Sequence, residues 1–106
     1  MFNSENLKFI SNGEKEVEAE LLLLLKQAGE KFLTAAHVAV ERGDAIAWKT
    51  LVHEFKGGTG SLGADNIFDL CEEAERNQNP EERPILLARF EKEVKALIVY
   101  INDYLK

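Results

Sequence analysis

The chain has 106 residues, of which 45% are hydrophobic and 30% are charged, and its formal net charge is −6. This length and balance predict one folded domain (residues 1–106) with a single core, and they exclude a disordered chain. The negative charge argues against nucleic acid as a partner, because binding to its backbone requires a basic surface. The one cysteine, Cys71, excludes an intrachain disulfide, and no residues have the spacing of zinc ligands.

Neither a signal peptide nor a membrane span is predicted. Residues 1–5 lack the basic start of a signal peptide, and the apolar run at 21–25 is far shorter than the ~20 residues that cross a bilayer. We therefore expect a cytoplasmic protein without a membrane partner. We also expect a monomer.

Most of the first 42 residues are predicted to be helical. Residues 3–10 fit a short helix that covers one end of the fold like a lid. Residues 14–42 carry one continuous apolar stripe, and the sequence leaves open whether they form one helix or two helices joined at Gly29. The residues of this stripe are Val17, Leu21, Leu24, Ala28, Phe32, Ala35 and Ala39.

A tight link separates this segment from the next helix. Gly43 suits the left-handed residue that follows a helix, and Asp44 is a good N-cap. So short a link predicts antiparallel neighbours. The second helix runs to about Gly60 and is followed by a helix at residues 64–76. The inward residues of that following helix are Ile67, Leu70, Cys71 and Ala74.

The last helix follows a polar loop at residues 77–82 and runs to about Tyr104. Pro80 and Pro84 both suit a first helical turn, and the sequence does not decide between them. The apolar face consists of Leu87, Phe90, Val94, Leu97, Ile98 and Ile101. Without strand-like alternation or a fixed repeat, the predicted fold is all-α: an antiparallel up-and-down four-helix bundle with a short N-terminal helical extension.

The second helix contains the most informative stretch, because four of the seven glycines fall within residues 51–64. At 100° per residue, one side of this helix is apolar, and His53 lies about 140° from Trp48, on the solvent side. Thr59 projects inward, where its hydroxyl is predicted to bond to the carbonyl of Phe55. The apolar side consists of Trp48, Leu51, Val52, Phe55, Thr59 and Leu62.

The exposed side of the same helix combines His53 with Lys49, Lys56, Gly57 and Gly60. Each glycine costs roughly 0.5–1 kcal/mol relative to alanine, so we interpret them as clearing space beside the imidazole for a bulky partner. The two lysines, one turn on either side, disfavour imidazolium and would attract a dianionic group. This surface is therefore suited to carrying phosphate.

Further residues extend this predicted surface. Ile46, two turns before His53, is predicted to belong to a docking patch for a partner, the alternative being a single exposed apolar residue. Glu54, Gly57 and Gly60 are assigned to the same partner-binding surface. His37 has no glycine or paired lysine nearby, so it is predicted to be an ordinary surface histidine.

These residues resemble the signature of the histidine-containing phosphotransfer (HPt) domain family of phosphorelays. The matching positions are His53, Phe55, Lys56, Gly57, Gly58, Thr59, Leu62, Gly63 and Ala64, and residues 70–73 are similar to the family's next helix. The pair Gly58-Thr59 departs from the family, in which serine or alanine is commoner at this place.

The resemblance implies that His53 accepts a phosphoryl group from the aspartyl phosphate of a receiver domain, such as the receiver domain of a hybrid histidine kinase. His53 would then pass the group to the receiver of a response regulator. Within the family Nε2 is the usual acceptor atom, with Lys56 and Lys49 in electrostatic support here. The resemblance also implies that the receiver brings the Mg²⁺ and the catalytic lysine.

The sequence has no glycine-rich nucleotide loop and no clustered aspartates beside His53, so we expect no cofactor or metal of its own and no enzymatic activity. One alternative is the phosphoacceptor (dimerisation) fragment of a sensor histidine kinase, whose His-Glu-apolar-basic box is similar to residues 53–56. A second is a helical adaptor that works without phosphorylation. Met1 and the short termini favour a standalone protein over a piece of a hybrid kinase.

Overall fold

The computed structural model describes Phe9, residues 11–62 and residues 64–106. Within these residues the helices are α1 (Lys15–Arg42), α2 (Ala45–Ser61), α3 (Asp65–Arg76) and α4 (Arg83–Tyr104), with a 3₁₀ turn at Pro80–Glu82 before α4. Both α1 and α3 pack against α2 and α4. The protein is therefore an all-α, antiparallel four-helix bundle, as the sequence predicts. The extension predicted at residues 3–10 lies, apart from Phe9, outside the described residues.

Helix α1 is continuous from Lys15 to Arg42, which answers the question of one helix or two. Gly29 is buried, and a Cβ atom at this position would lie 2.9 Å from Cγ1 of Val94 on α4. This distance is shorter than a carbon–carbon contact allows. The glycine therefore permits the close approach of α1 and α4 and does not break the helix.

The predicted stripe of α1 is wrong in its N-terminal half. Leu24 is 59% exposed and Ala28 is exposed, whereas Leu22 and Leu25 are buried. Five consecutive leucines leave the rotation of the helix undetermined by the apolar pattern. Packing against α4 decides it, because Gly29 must face that helix. The buried residues are Glu18, Leu22, Leu25, Gly29, Phe32, Ala36 and Ala39.

The helix ends follow the local signals of the sequence. Gly43 has a φ angle of 64° and ends α1, and Oδ1 of Asp44 accepts a hydrogen bond from the backbone N–H of Ala47 at 3.0 Å. Pro80 begins the 3₁₀ turn and Pro84 lies in the first turn of α4, so each proline occupies a helical first turn. The sequence leaves open which proline occupies a first turn, and in the structure both do.

Stacked aromatic rings fix the rotation of α2. Phe55 stacks on Phe32 of α1 with ring centroids 4.3 Å apart, and Trp48 meets the edge of Phe90 of α4 at 6.0 Å. The hydroxyl of Thr59 donates to the carbonyl of Phe55 at 2.9 Å, which confirms that prediction. Because this side of α2 is held in the core, the opposite side must face solvent.

The remaining helices bury the predicted residues with small differences. In α3 these are Ile67, Leu70, Cys71 and Ala74. In α4, Leu86 is buried in addition to the predicted set, and Ile98 is only half-buried. Burial is the main cause that raises the pKa of the Cys71 thiol to about 12, so this cysteine is an unreactive core residue. Among the described helices, none has the length and apolar content needed to cross a membrane.

Candidate functional site

His53 lies on the exposed side of α2, with 72% of its side chain accessible. Its neighbour Val52 and the nearby Phe55 are buried, so the imidazole is carried outward by the packing of the helix itself. The sequence predicts this placement. The ring is therefore accessible to a partner molecule without any rearrangement of the bundle.

Gly57 and Gly58 leave open space on this side of the helix. A Cβ atom added to either residue would meet nothing within 4 Å, so internal packing does not require a glycine at either position. Gly57 is one helical turn after His53, so no side chain occupies the space next to the imidazole on that side. Gly58 points about 140° away from His53 around the helix axis.

Gly60 has a different structural role. It is half-buried, and a Cβ atom there would lie 2.8 Å from Cδ2 of Phe68 on α3. A side chain at Gly60 would therefore force Phe68 to shift where α2 and α3 pack closely. The assignment of Gly60 to the partner-binding surface stays a prediction, and the structure provides a packing reason for the glycine.

Glu75 of α3 lies at this candidate site, although the sequence does not predict it there. Its Oε2 atom is 3.5 Å from Nδ1 of His53, and its Oε1 atom is 3.0 Å from Nζ of Lys56. The available signal was its spacing, because Glu75 follows the buried Cys71 by one helical turn and so lies on the same side of α3. Using that signal requires knowing that this side of α3 faces α2.

The charges of this cluster are held in place by several contacts. The side-chain contact with the Lys56 ammonium is the main cause that lowers the pKa of Glu75; His53 adds to the effect, and desolvation opposes it. The ammonium also lies 5.8 Å from the ring centroid of Phe68, within reach of a cation–π interaction. Glu75 is therefore a carboxylate at neutral pH, and Lys56 is already engaged on two sides.

The other predicted residues of this surface are accessible. Ile46 is 80% exposed, and Lys49 and Glu54 are exposed as well. Lys49 forms no ion pair with any residue that the structure describes. Its ammonium, one turn before His53, is thus available to an incoming anion in a way that the ammonium of Lys56 is not.

The described residues also show no group of three or more His, Cys, Asp and Glu side chains arranged to hold a metal ion. The fold and the site together define the class: an all-α bundle that exposes a histidine beside open backbone, with a carboxylate behind one ring nitrogen.

Comparison with known proteins assigns the family. The model of the family described as Hpt domain matches residues 20–99. The chain therefore belongs to the Hpt domain family, whose members are phosphocarriers that interact with receiver domains in two-component systems.

The fold is also found in a solved structure, the crystal structure of histidine-containing phosphotransfer protein B (HptB) from Pseudomonas aeruginosa PAO1. The two chains superpose with a TM-score of 0.89 over 98% of this chain and 93% of that chain, at 24% sequence identity. This similarity confirms the bundle architecture. No curated protein sequence matches the chain.

Proposed function

We propose that the protein is a phosphorelay intermediate that accepts a phosphoryl group on His53 from the aspartyl phosphate of one receiver domain and transfers it to a second receiver. The observation that carries this proposal is the 72% exposure of the His53 side chain beside a glycine that packing does not require. Membership of a phosphocarrier family and the fold shared with a histidine-containing phosphotransfer protein support it.

The nucleophile in this proposal is Nε2 of His53. Nδ1 is the ring nitrogen that faces the carboxylate of Glu75, and a carboxylate only accepts hydrogen bonds. The proton of the neutral ring is therefore favoured on Nδ1, which leaves the lone pair on Nε2. Phosphate attached to Nδ1 would instead bring a dianion against the carboxylate.

The transfer step needs no proton movement. Nε2 attacks the phosphorus, the new N–P bond forms, and the P–O bond to the aspartyl oxygen breaks with its electron pair on that oxygen. The products are a free aspartate carboxylate and a phosphohistidine that keeps its proton on Nδ1, directed at Glu75. The reverse step returns the phosphoryl group to a receiver aspartate, so the same site serves both halves of the relay.

The receiver would dock over the exposed side of α2. Ile46 would provide an apolar contact, Glu54 a polar one, Gly57 the space for the phosphoryl group, and Lys49 a cation within one turn of His53. We assign the Mg²⁺ and the catalytic lysine to the receiver. This chain supplies a positioned nucleophile and a docking surface, without an ATP site.

Three phosphoryl donors distinguish this function from its alternatives. The protein is incubated with a phosphorylated receiver and Mg²⁺, with acetyl phosphate and Mg²⁺ but no receiver, and with ATP and Mg²⁺ alone. Labelling that requires the receiver, is lost in acid and survives in alkali is expected for a relay histidine. Labelling from ATP alone would instead identify a kinase fragment, and no labelling with any receiver would favour the adaptor.

A further inference from the structure

A small cavity lies between the beginning of α2, the end of α3 and the beginning of α4. Its volume is about 130 Å³. Liquid water occupies roughly 30 Å³ per molecule, so the cavity has room for a small polyatomic ion but not for a nucleotide or a peptide. Lys49 and Val52 are part of its wall, one turn before His53 and directly before it. The cavity and the candidate site therefore share part of α2.

The wall of this cavity includes a buried hydrogen-bond donor that is not paired. Trp48 is 4% exposed, and its indole Nε1–H has no hydrogen-bond partner among the residues that the structure describes. Buried polar groups in folded proteins are nearly always paired, and an indole N–H can only donate. A ligand that satisfies this group must therefore carry an acceptor atom.

The charges of the wall favour a negative ligand. Lys49 and the half-buried Arg83 line the cavity, and neither forms an ion pair within the described part of the chain. Glu75 is the one acidic side chain of the wall, and its carboxylate is paired with Lys56 and directed at His53. The two cations are thus available to a ligand, whereas the carboxylate is already engaged.

Further donors surround the same space. Ala45 and Ile46 belong to the first turn of α2, where the N–H groups have no acceptor within the helix, and both line the cavity. Oδ1 of Asn77 accepts a hydrogen bond from the backbone N–H of Asn79 at 3.0 Å, so its amide nitrogen remains a donor. Such donors are typical of phosphate and sulfate sites, and a tetrahedral oxyanion has enough oxygens to serve several of them at once.

We propose that this cavity binds an oxyanion of the phosphate type, with the indole N–H of Trp48, the ammonium of Lys49 and the guanidinium of Arg83 as its ligands. Lys49 is then engaged by the bound ion and less available to a phosphoryl group on His53. Free phosphate would therefore slow transfer. This regulatory consequence rests on the proposed function, whereas binding of the ion does not.

Binding is measured by ¹H–¹⁵N NMR, because Trp48 is the only tryptophan and gives a single indole resonance. Titration with inorganic phosphate should shift this resonance and the backbone resonances of Ala45 and Ile46 along one saturable curve. Sodium chloride at the same ionic strength should not shift them. Arg83→Gln and Lys49→Gln should each weaken binding by roughly tenfold, because each removes a charge-assisted hydrogen bond.

Lys92→Gln is the matched control. It removes an exposed cation of α4 that does not line the cavity, so it should bind phosphate like the wild type. Trp48→Phe keeps an aromatic ring but loses the N–H, and it should weaken binding as followed by the backbone resonances. Circular dichroism checks the fold of each variant, and the comparison of Arg83→Gln with Lys92→Gln decides the matter if Trp48→Phe is unfolded. Shifts that do not saturate, or equal weakening by Lys92→Gln, would overturn the proposal.

Failure of the proposal and failure of the proposed function give different results. Phosphate should slow transfer from a phosphorylated receiver to the wild type at the concentrations that saturate the indole shift, and Arg83→Gln should transfer at the same rate with and without it. Slowing that persists in Arg83→Gln would refute the regulatory consequence. If phosphate binds but no receiver labels the wild type, the cavity is supported and the relay function is wrong. If receivers label the wild type but phosphate leaves the indole resonance unchanged, the relay function is supported and the cavity proposal is refuted.

Discussion

The two histidines of the chain have similar neighbours and very different surroundings. His53 lies 3.5 Å from Glu75, which pairs with Lys56. His37 of α1 lies 3.8 Å from Glu91 of α4, and Glu91 in turn pairs with a lysine, Lys95, at 3.0 Å. Both imidazoles are exposed, at 72% and 53% of the side chain. A histidine beside a lysine–glutamate pair is therefore not sufficient to make a candidate phosphoacceptor.

Three features distinguish His53. Its contact with the carboxylate is through Nδ1, whereas that of His37 is through Nε2, so a different nitrogen is left outward. The pair behind His53 joins two helices and is about three-quarters buried, whereas Glu91 and Lys95 are one turn apart on one helix and more exposed. Only His53 is followed one turn later by a glycine. His53 therefore differs from His37 in which ring nitrogen faces outward, in how firmly the neighbouring carboxylate is held, and in the open space beside the ring.

Substitution of the histidines gives the largest expected difference. His53→Gln should reduce labelling by a phosphorylated receiver to background, since the nucleophile is gone, while His37→Gln should be labelled like the wild type. The measurement is the amount of acid-labile phosphate per chain. Residual labelling of His53→Gln that disappears only with His37→Gln would show that the two sites are equivalent.

The clearance beside His53 is tested by adding a side chain to either of two adjacent glycines. Gly57→Leu should slow transfer by about 10- to 100-fold, because the leucine would hold the receiver away from the imidazole. Gly58→Leu, on another side of the helix, should transfer at nearly the wild-type rate. Each substitution should also stabilise the helix by roughly 0.5–1 kcal/mol, as measured by urea unfolding. Equal transfer rates for the two variants would refute the role of clearance.

Substitution by alanine should change the free energy of unfolding in opposite directions at Gly57 and Gly60. Gly57→Ala should raise the free energy of unfolding by roughly 0.5–1 kcal/mol, since its Cβ atom meets nothing. Gly60→Ala should lower it by about 1–3 kcal/mol, because the Cβ atom would be forced against Phe68. Urea unfolding measures both, and a stabilising Gly60→Ala would show that Phe68 moves freely.

The smallest expected effect is the pH dependence from Glu75. Its pKa is lowered below the ordinary value of 4.5, mainly by Lys56, so its contribution to stability is complete above that value and is lost as the pH falls through the lowered pKa. Glu75→Gln should be less stable than the wild type at neutral pH, by at most about 1 kcal/mol, and equally stable in acid. Unfolding of both proteins as a function of pH measures the difference, and a gap that persists in acid would assign the effect to packing.

Much of this molecule was predictable from local rules, and the exceptions have identifiable causes. The turn at Gly43 and Asp44 and the exposure of His53 follow from caps and from helical periodicity. The rotation of α1 about its axis does not follow from these rules, because five adjacent leucines place an apolar residue on every side of the helix. The close approach of Gly29 to Val94 decides which side is buried. Local sequence determines where the helices begin and end and which side of α2 is exposed. A close contact between two helices cannot be inferred from the sequence of either helix alone.

At the candidate site too, features within one helix are predictable from the sequence and contacts between helices are not. His53 and Gly57 are recognisable because both lie on one helix at helical spacing. Glu75 was missed because its relation to His53 exists only after α2 and α3 have packed, and its residue type is common on an exposed helix. The helical angle of Gly60 predicts that it lies on the exposed side. The side chain of Phe68 gives a packing reason for a glycine at this position, and that reason is not contained in the angle.

Phe68 of α3 lies against α2 at two points, Gly60 and the side chain of Lys56. A Cβ atom at Gly60 would lie 2.8 Å from this ring, and the ammonium of Lys56 is 5.8 Å from its centroid, so the size of the ring limits how closely the two helices approach here. A change in that spacing would alter the approach of Glu75 to His53 while leaving every surface residue intact. If His53 carries phosphate as proposed, a substitution at Phe68 would change the rate of transfer without changing any residue that a partner contacts.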